Sequence, residues 1–120
     1  MSIQLRGLHE GLRPAAEWAL AYAAAYGIRP LVTSTYRSWT EQLALRERYE
    51  AGISPYPAAR PGYSAHNYGL AWDSVLPPEY RGDPAFEAWW EAVREYAGFN
   101  VPSNDTIHAE LPSWSDYITP

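Results

Sequence analysis

Apolar residues recur at helical spacing in some stretches of this chain and give way to β-branched or turn-forming runs in others. Leu12, Ala16, Ala19, Leu20 and Ala23 fall on one helical face, between Pro14, suited to a first turn, and Gly27, suited to a C-terminal cap. They predict a core-facing helix whose alanines permit close packing. Pro30–Tyr36 is rich in β-branched residues and predicts a strand. Ser38 and Glu41 have capping-box spacing, so a second helix is expected from about Thr40 to Glu50, stopping near Gly52, with one charged face in solvent. From Ala51 to Tyr63, Pro55, Pro57, Pro61, Gly52 and Gly62 exclude regular structure and predict a loop of the kind that walls a site, with Tyr56 and Tyr63 in that wall.

Gly69–Val75 predicts a second strand. Alternation puts Gly69, Ala71 and Asp73 on one face and Leu70, Trp72 and Ser74 on the other. Pro77 and Pro78 end it. Asp83 as N-cap and Pro84 as first residue start a third helix, Pro84–Ala97, closed by Gly98 and striped by Phe86, Trp89, Trp90 and Val93. Two short strands are expected near Phe99–Val101 and Ile107–Leu111, with His108 and Glu110 sharing a face. Three helices and short strands without a βαβ rhythm predict an α+β fold: a small antiparallel sheet, with Asp73 and His108 on neighbouring strands, and helices packed against it.

Composition narrows the chemistry. A chain of 120 residues suits one domain, 1–120, with one core, and a monomer is expected. There is no cysteine, so disulfides and thiolate metal sites are excluded and any metal must be held by His, Asp or Glu. A formal net charge of -5 argues against a nucleic-acid backbone as partner. Six Trp and ten Tyr are a heavy load for so short a chain; such rings can fill a core, and they also line grooves for peptides and sugars. Met1–Leu8 has no signal-peptide pattern, and the Ala-rich stretch Pro14–Tyr26 is too short to span a membrane. The expectation is synthesis in the cytoplasm, with delivery by another protein if the target lies outside.

The stretch Ser64-Ala65-His66-Asn67-Tyr68-Gly69-Leu70-Ala71-Trp72-Asp73 sets an imidazole and a carboxylate seven residues apart, with small residues at Ala65, Gly69 and Ala71. His108, in Asp105-Thr106-Ile107-His108-Ala109-Glu110, is the one histidine downstream. Two imidazoles and a carboxylate are a sufficient donor set for zinc with an open position. By spacing alone, three unrelated polar residues remain the alternative. His9-Glu10 looks like the start of a helical zinc motif, but position 13 is Arg13, so His9 is expected to be an ordinary surface residue.

Ser64-x-His66-x-x-Gly69-x-Ala71-x-Asp73 resembles the motif of the M15 family of zinc peptidases, of the hedgehog/DD-peptidase fold. These comprise D-alanyl-D-alanine carboxypeptidases and L-alanyl-D-glutamate endopeptidases of bacteria and phages. The resemblance extends to Thr35-Tyr36-Arg37-Ser38, Glu41-Gln42, Pro61-Gly62 and Asp105-x-x-His108-x-Glu110, in order, from about Leu31 to Leu111. It implies His66, Asp73 and His108 as zinc ligands and Asp105 as catalytic base. It further implies Arg37 on the substrate carbonyl or oxyanion, and peptidoglycan stem peptide as substrate. Without the motif, a surface salt bridge is the better reading of Arg37. Glu110 is expected to support the ligands, the alternative being a surface carboxylate. Ser64 is expected to position substrate or His66, or equally to satisfy the loop backbone, and Tyr63 to contact substrate.

The chain departs from the family where Asn100–Asn104 lacks a tryptophan and Ile107 precedes His108, which implies a different groove. Within the resemblance, aspartate as base goes with cleavage between L-Ala and D-Glu, as in phage endolysins, and glutamate with D-Ala-D-Ala enzymes. The alternatives are a carboxypeptidase of the same family, a zinc-containing binding module such as the hedgehog signalling domains, and a structural domain without metal.

Overall fold

A computed structural model describes residues 3–118; the ends of the expected span 1–120 lie outside these residues. The helices are α1 (Arg13–Ala25), α2 (Trp39–Glu50) and α3 (Pro84–Tyr96), and the strands β1 (Leu31–Ser34), β2 (Ala71–Val75) and β3 (His108–Glu110). The strands form one antiparallel sheet in the order β1-β2-β3. The fold is the expected α+β arrangement.

The helices start and stop where their side chains dictate. Ser38 Oγ accepts from the Glu41 amide while the Glu41 carboxylate accepts from the Ser38 amide, so two orphan donors of α2 are satisfied reciprocally. Asp83 accepts from the amides of Ala85 and Phe86 to open α3. In α1, Ala16, Ala19 and Ala23 are fully buried, so the helix packs closely on the core as its small residues predict. α3 contributes Trp90 and Val93 to that core, whereas Phe86 lies outside it, 36% exposed, with its ring against Tyr80.

The strand boundaries needed correction. β1 stops at Ser34 rather than reaching Tyr36, and its register shifts between Val32 and Ser34. Such an irregularity re-aims the chain beyond it, here towards Arg37. β2 begins at Ala71, not Gly69, because residues before it form a single turn of 3-10 helix, Ala65–Tyr68. Gly69 closes that turn at φ +67, and a Cβ there would meet the Gly7 carbonyl oxygen at 2.9 Å, so glycine is required twice over. Phe99–Val101 is not a strand; Asn100 makes one isolated bridge to Glu110. Two further 3-10 turns, Ile3–Leu5 and Trp114–Tyr117, had no sequence forecast. Among the described residues, no helix is long and apolar enough to cross a membrane.

Candidate metal centre and substrate groove

β2 carries the centre because its two faces are unlike. Trp72 and Ser74 point back into the core, while Asp73 faces forward, directly opposite His108 on β3 and beside Ser34 on β1. His66 arrives from the 3-10 turn, whose cap is Ser64: its hydroxyl accepts from the His66 amide. Ser64 thus serves the backbone and orients His66 in one contact. One donor atom from each of His66, Asp73 and His108 lies within 4.8 Å of the others.

The second nitrogen of each ring fixes which atom faces the centre. His66 Nδ1 lies 2.6 Å from the Thr35 carbonyl oxygen, and a carbonyl can only accept, so Nδ1 carries the hydrogen. His108 Nε2 donates likewise to Glu110 Oε1 at 2.7 Å. In the neutral rings, the lone pairs of His66 Nε2 and His108 Nδ1 therefore point at Asp73 Oδ1, at 3.1 and 3.0 Å. Three electron-rich atoms converging in this way repel one another unless a proton or a cation lies among them. Imidazole, carboxylate and imidazole, each ring backed by an oxygen acceptor, is the arrangement that metal-ligating histidines adopt.

Proton affinities report the same crowding. Burial opposes charge on Asp73, but where a proton lies between ring and carboxylate, hydrogen bonds from His108 and His66 outweigh it and hold the carboxyl well below the usual carboxylate range. Burial likewise opposes protonation of His108, yet Asp73 and Glu110 together raise its pKa. Partial burial raises the pKa of Asp105, with the Asp73 charge adding to it and the charges of His108, His66 and Arg37 opposing.

A groove of about 430 Å³ opens over this cluster and is lined by Arg37, Asp105, Tyr63 and Trp114, among others. Arg37 donates to Gln42 Oε1 at 3.0 Å and to Ser34 Oγ at 3.3 Å, and its guanidinium stands 3.7 Å from Asp73 Oδ2. Tyr56 and Tyr63, both exposed, wall the groove from the 51–63 loop as expected. His9 is exposed and its Nδ1 only accepts from the Gly11 amide, in keeping with a surface role. The structure thus brings His66, Asp73, His108, Glu110, Arg37, Asp105, Ser64 and Tyr63 around one groove.

Sequence reading assigned no role to two residues that build this groove. Gln42, almost fully buried, takes the Arg37 hydrogen bond and passes another to the Ala59 carbonyl, tying Arg37 to the loop. Asn67 accepts from the amides of Gly62 and Ser64 and donates to the Arg37 carbonyl, at 2.9, 3.3 and 2.9 Å. Both lie within the motif stretches, but a polar residue on a helix or turn carries no local mark of a partner so far along the chain.

The sequence profile of a family described as VanY, D-alanyl-D-alanine carboxypeptidase, matches residues 6–102. No curated protein matches significantly. The fold is similar to a variant of the vancomycin-resistance D,D-pentapeptidase VanY from the VanB-type resistance cassette, solved in complex with Zn(II). That match has a TM-score of 0.72 and 20% identity, over 90% of this chain and 74% of that one. VanYB in complex with D-alanine-D-alanine is equally similar, with TM-score 0.72, 20% identity and 91% and 74% of the two chains covered. The L-Ala D-Glu endopeptidase ChiX of Serratia marcescens matches with a TM-score of 0.65 and 25% identity, over 97% of this chain and 88% of that one.

Proposed function

The chain belongs to the VanY family of D-alanyl-D-alanine carboxypeptidases, and from that premise we propose that it is a zinc-dependent peptidoglycan peptidase cutting the L-Ala–D-Glu bond of the stem peptide. The observation that carries the chemistry is the convergence of His66 Nε2, Asp73 and His108 Nδ1 on one point of a groove shared with Arg37 and Asp105. Zinc held there would polarise the scissile carbonyl and bring the pKa of a bound water down to about 7.

The chain's own residues supply the rest. Asp105, with its pKa raised, accepts a proton from the attacking water and returns it to the leaving amine. Arg37 is held by Gln42 and Ser34 with its guanidinium towards the centre, where it stabilises the oxygen that becomes negative during attack. Glu110 and the Thr35 carbonyl hold the two rings in the tautomers that ligation needs. Tyr63 and Tyr56 flank the peptide.

Two observations support the endopeptidase reading of the bond. The motif resemblance puts an aspartate, Asp105, where the base is expected, and ChiX is similar over nearly the whole of both chains. A second reading, removal of the terminal D-Ala, is favoured by the description of the matched family and by VanYB, solved with D-alanine-D-alanine. Mass spectrometry of digested peptidoglycan separates them: new N-terminal D-Glu is expected, whereas release of D-Ala alone overturns the bond assignment. Intact fragments after digestion with zinc-loaded protein would overturn the peptidase reading itself.

A further inference from the structure

The last turn of α3 carries a charged residue, Arg94, on its buried side. Arg94 is buried to 1% relative exposure, at the back of the sheet, and belongs to neither the groove nor its lining. Its Nε donates to the Trp90 carbonyl at 3.1 Å, which anchors the side chain to its own helix. Its Nη2 donates to the Thr106 carbonyl at 2.8 Å, across a separation of twelve residues. Its guanidinium also stacks over the Trp90 ring, 5.2 Å from the centroid. Nη1 has no partner among the described residues.

Thr106 is the residue between Asp105 and the run into His108. The turn it belongs to is exposed along Asp105–Ile107. It is held by two local backbone bonds, Asp105 amide to Pro102 carbonyl at 3.1 Å and His108 amide to Asp105 carbonyl at 3.0 Å, and by the Ser74 amide on the Ile107 carbonyl at 2.9 Å. Arg94 grips the same turn from beneath. The helix that carries Arg94 also holds β2, because Trp90 Nε1 donates to Ser74 Oγ at 2.9 Å, one residue beyond Asp73.

We propose that Arg94 is a positioning residue: through the Thr106 carbonyl it fixes the turn that sets Asp105 against His108 and Asp73. A buried guanidinium is costly, and its planar, pre-organised fork of donors suits it to hold two carbonyls in different directions at once. Burial lowers its pKa to about 10, with Glu91, Glu87 and Glu95 countering, so it keeps its charge at neutral pH. The inference rests on the reading of Asp105 as proton acceptor.

The test compares Arg94→Met, which keeps the length and removes the donors, with Arg94→Lys, which keeps one charged donor point. Each is zinc-loaded and read by amide hydrogen exchange and by steady-state hydrolysis of wall fragments. In Arg94→Met, exchange at the His108 and Ser74 amides is expected to accelerate at least about tenfold while the α1 amides remain protected. kcat should fall by about 10–100-fold with KM changed less than about threefold, as displacement of a catalytic group by about an ångström implies. Arg94→Lys should be intermediate in both. In an Asp105→Asn background Arg94→Met should lower kcat no further, because both changes act through one group.

The proposal is overturned if the two amides and kcat are unchanged in the folded Met variant, or if its effect multiplies with that of Asp105→Asn. Should the Met variant fail to fold, the Lys variant decides by the same readings, and wild-type values for both overturn the proposal. Failure of the Asp105 reading shows separately, as Asp105→Asn alone with wild-type kcat.

Discussion

The two faces of β2 are built on different principles. Behind it, Trp72 meets Trp90 and Phe99 edge-on at 6.1 and 5.6 Å, and all three are buried. In front of it, Asp73 faces two imidazoles and a guanidinium, each tied by hydrogen bonds to a loop or a neighbouring strand. The rear face is mainly close apolar packing of rings, with the Trp90–Ser74 hydrogen bond and the Arg94 guanidinium as its buried polar contacts. The front face gathers groups whose lone pairs repel, so it holds its shape only because Thr35, Glu110, Gln42 and Asn67 satisfy the outer side of each group. Stability should therefore be governed mainly from behind the strand and chemistry from in front, with Arg94 the group proposed to reach from the rear to the Asp105 turn, and substitutions can separate the two.

The largest expected effect is in front. His66→Ala removes one of three donors, and zinc content and hydrolysis of wall fragments should be lost together while the far-ultraviolet circular dichroism stays close to wild type. Unchanged zinc stoichiometry by elemental analysis would show that the donors are misassigned. Asp105→Asn should come next and split these two readouts: zinc retained, kcat lower by about 10²–10⁴-fold. Wild-type turnover in that variant would pass the role of base to Glu110.

Behind the strand, Trp72→Ala should cost about 3–5 kcal/mol of unfolding free energy, because the rings around it cannot collapse into the space. Trp72→Phe should cost much less, since the indole Nε1 has no partner among the described residues. Denaturant unfolding of both variants checks this, and the fraction that remains folded should keep zinc. An Ala variant as stable as wild type would mean that the rear face does not carry the fold.

The smallest effect is graded by pH. Zinc requires His108 unprotonated, and its pKa is raised, so zinc affinity should fall about tenfold per pH unit below that pKa and level off above it. Metal-free protein should respond with the opposite sign on that limb. The raised His108 contributes stability below its unfolded pKa that is lost as pH rises through the folded one. The lowered Asp73 contributes stability above its unfolded pKa that is lost as pH falls through the folded one. Metal-free protein should therefore be most stable between roughly pH 4 and 6.5. Thermal melts with and without chelator give both curves, and parallel curves would break the link between the front face and its protons.

Much of this was readable along the chain, because its causes are local. The capping box of Ser38 and Glu41, the Asp83 cap and the alanine face of α1 depend on residues within a turn or two of each other, and all formed as expected. The three residues that gather into the cluster were legible too, through a motif with few alternatives once cysteine is absent. The strand ends were not: Gly69 reads as part of a strand until the 3-10 turn and the Gly7 carbonyl are seen around it. Gln42 stood in the motif without a role and Arg94 gave no signal, since the far partners that reveal what they do, Ala59 and Thr106, are seventeen and twelve residues away.

What the sequence determined by itself is therefore the set of helices, their caps and the kinds of atom available to a metal. Tertiary structure decided which nitrogen of each histidine faces the centre, because His66 finds Thr35 across 31 residues and His108 finds Asp73 across 35. It also decided what supports Arg37 and the Asp105 turn. Backbone propensity acts over a few residues, whereas a hydrogen bond between distant segments exists only once the sheet register and the packing of α3 have brought both ends together.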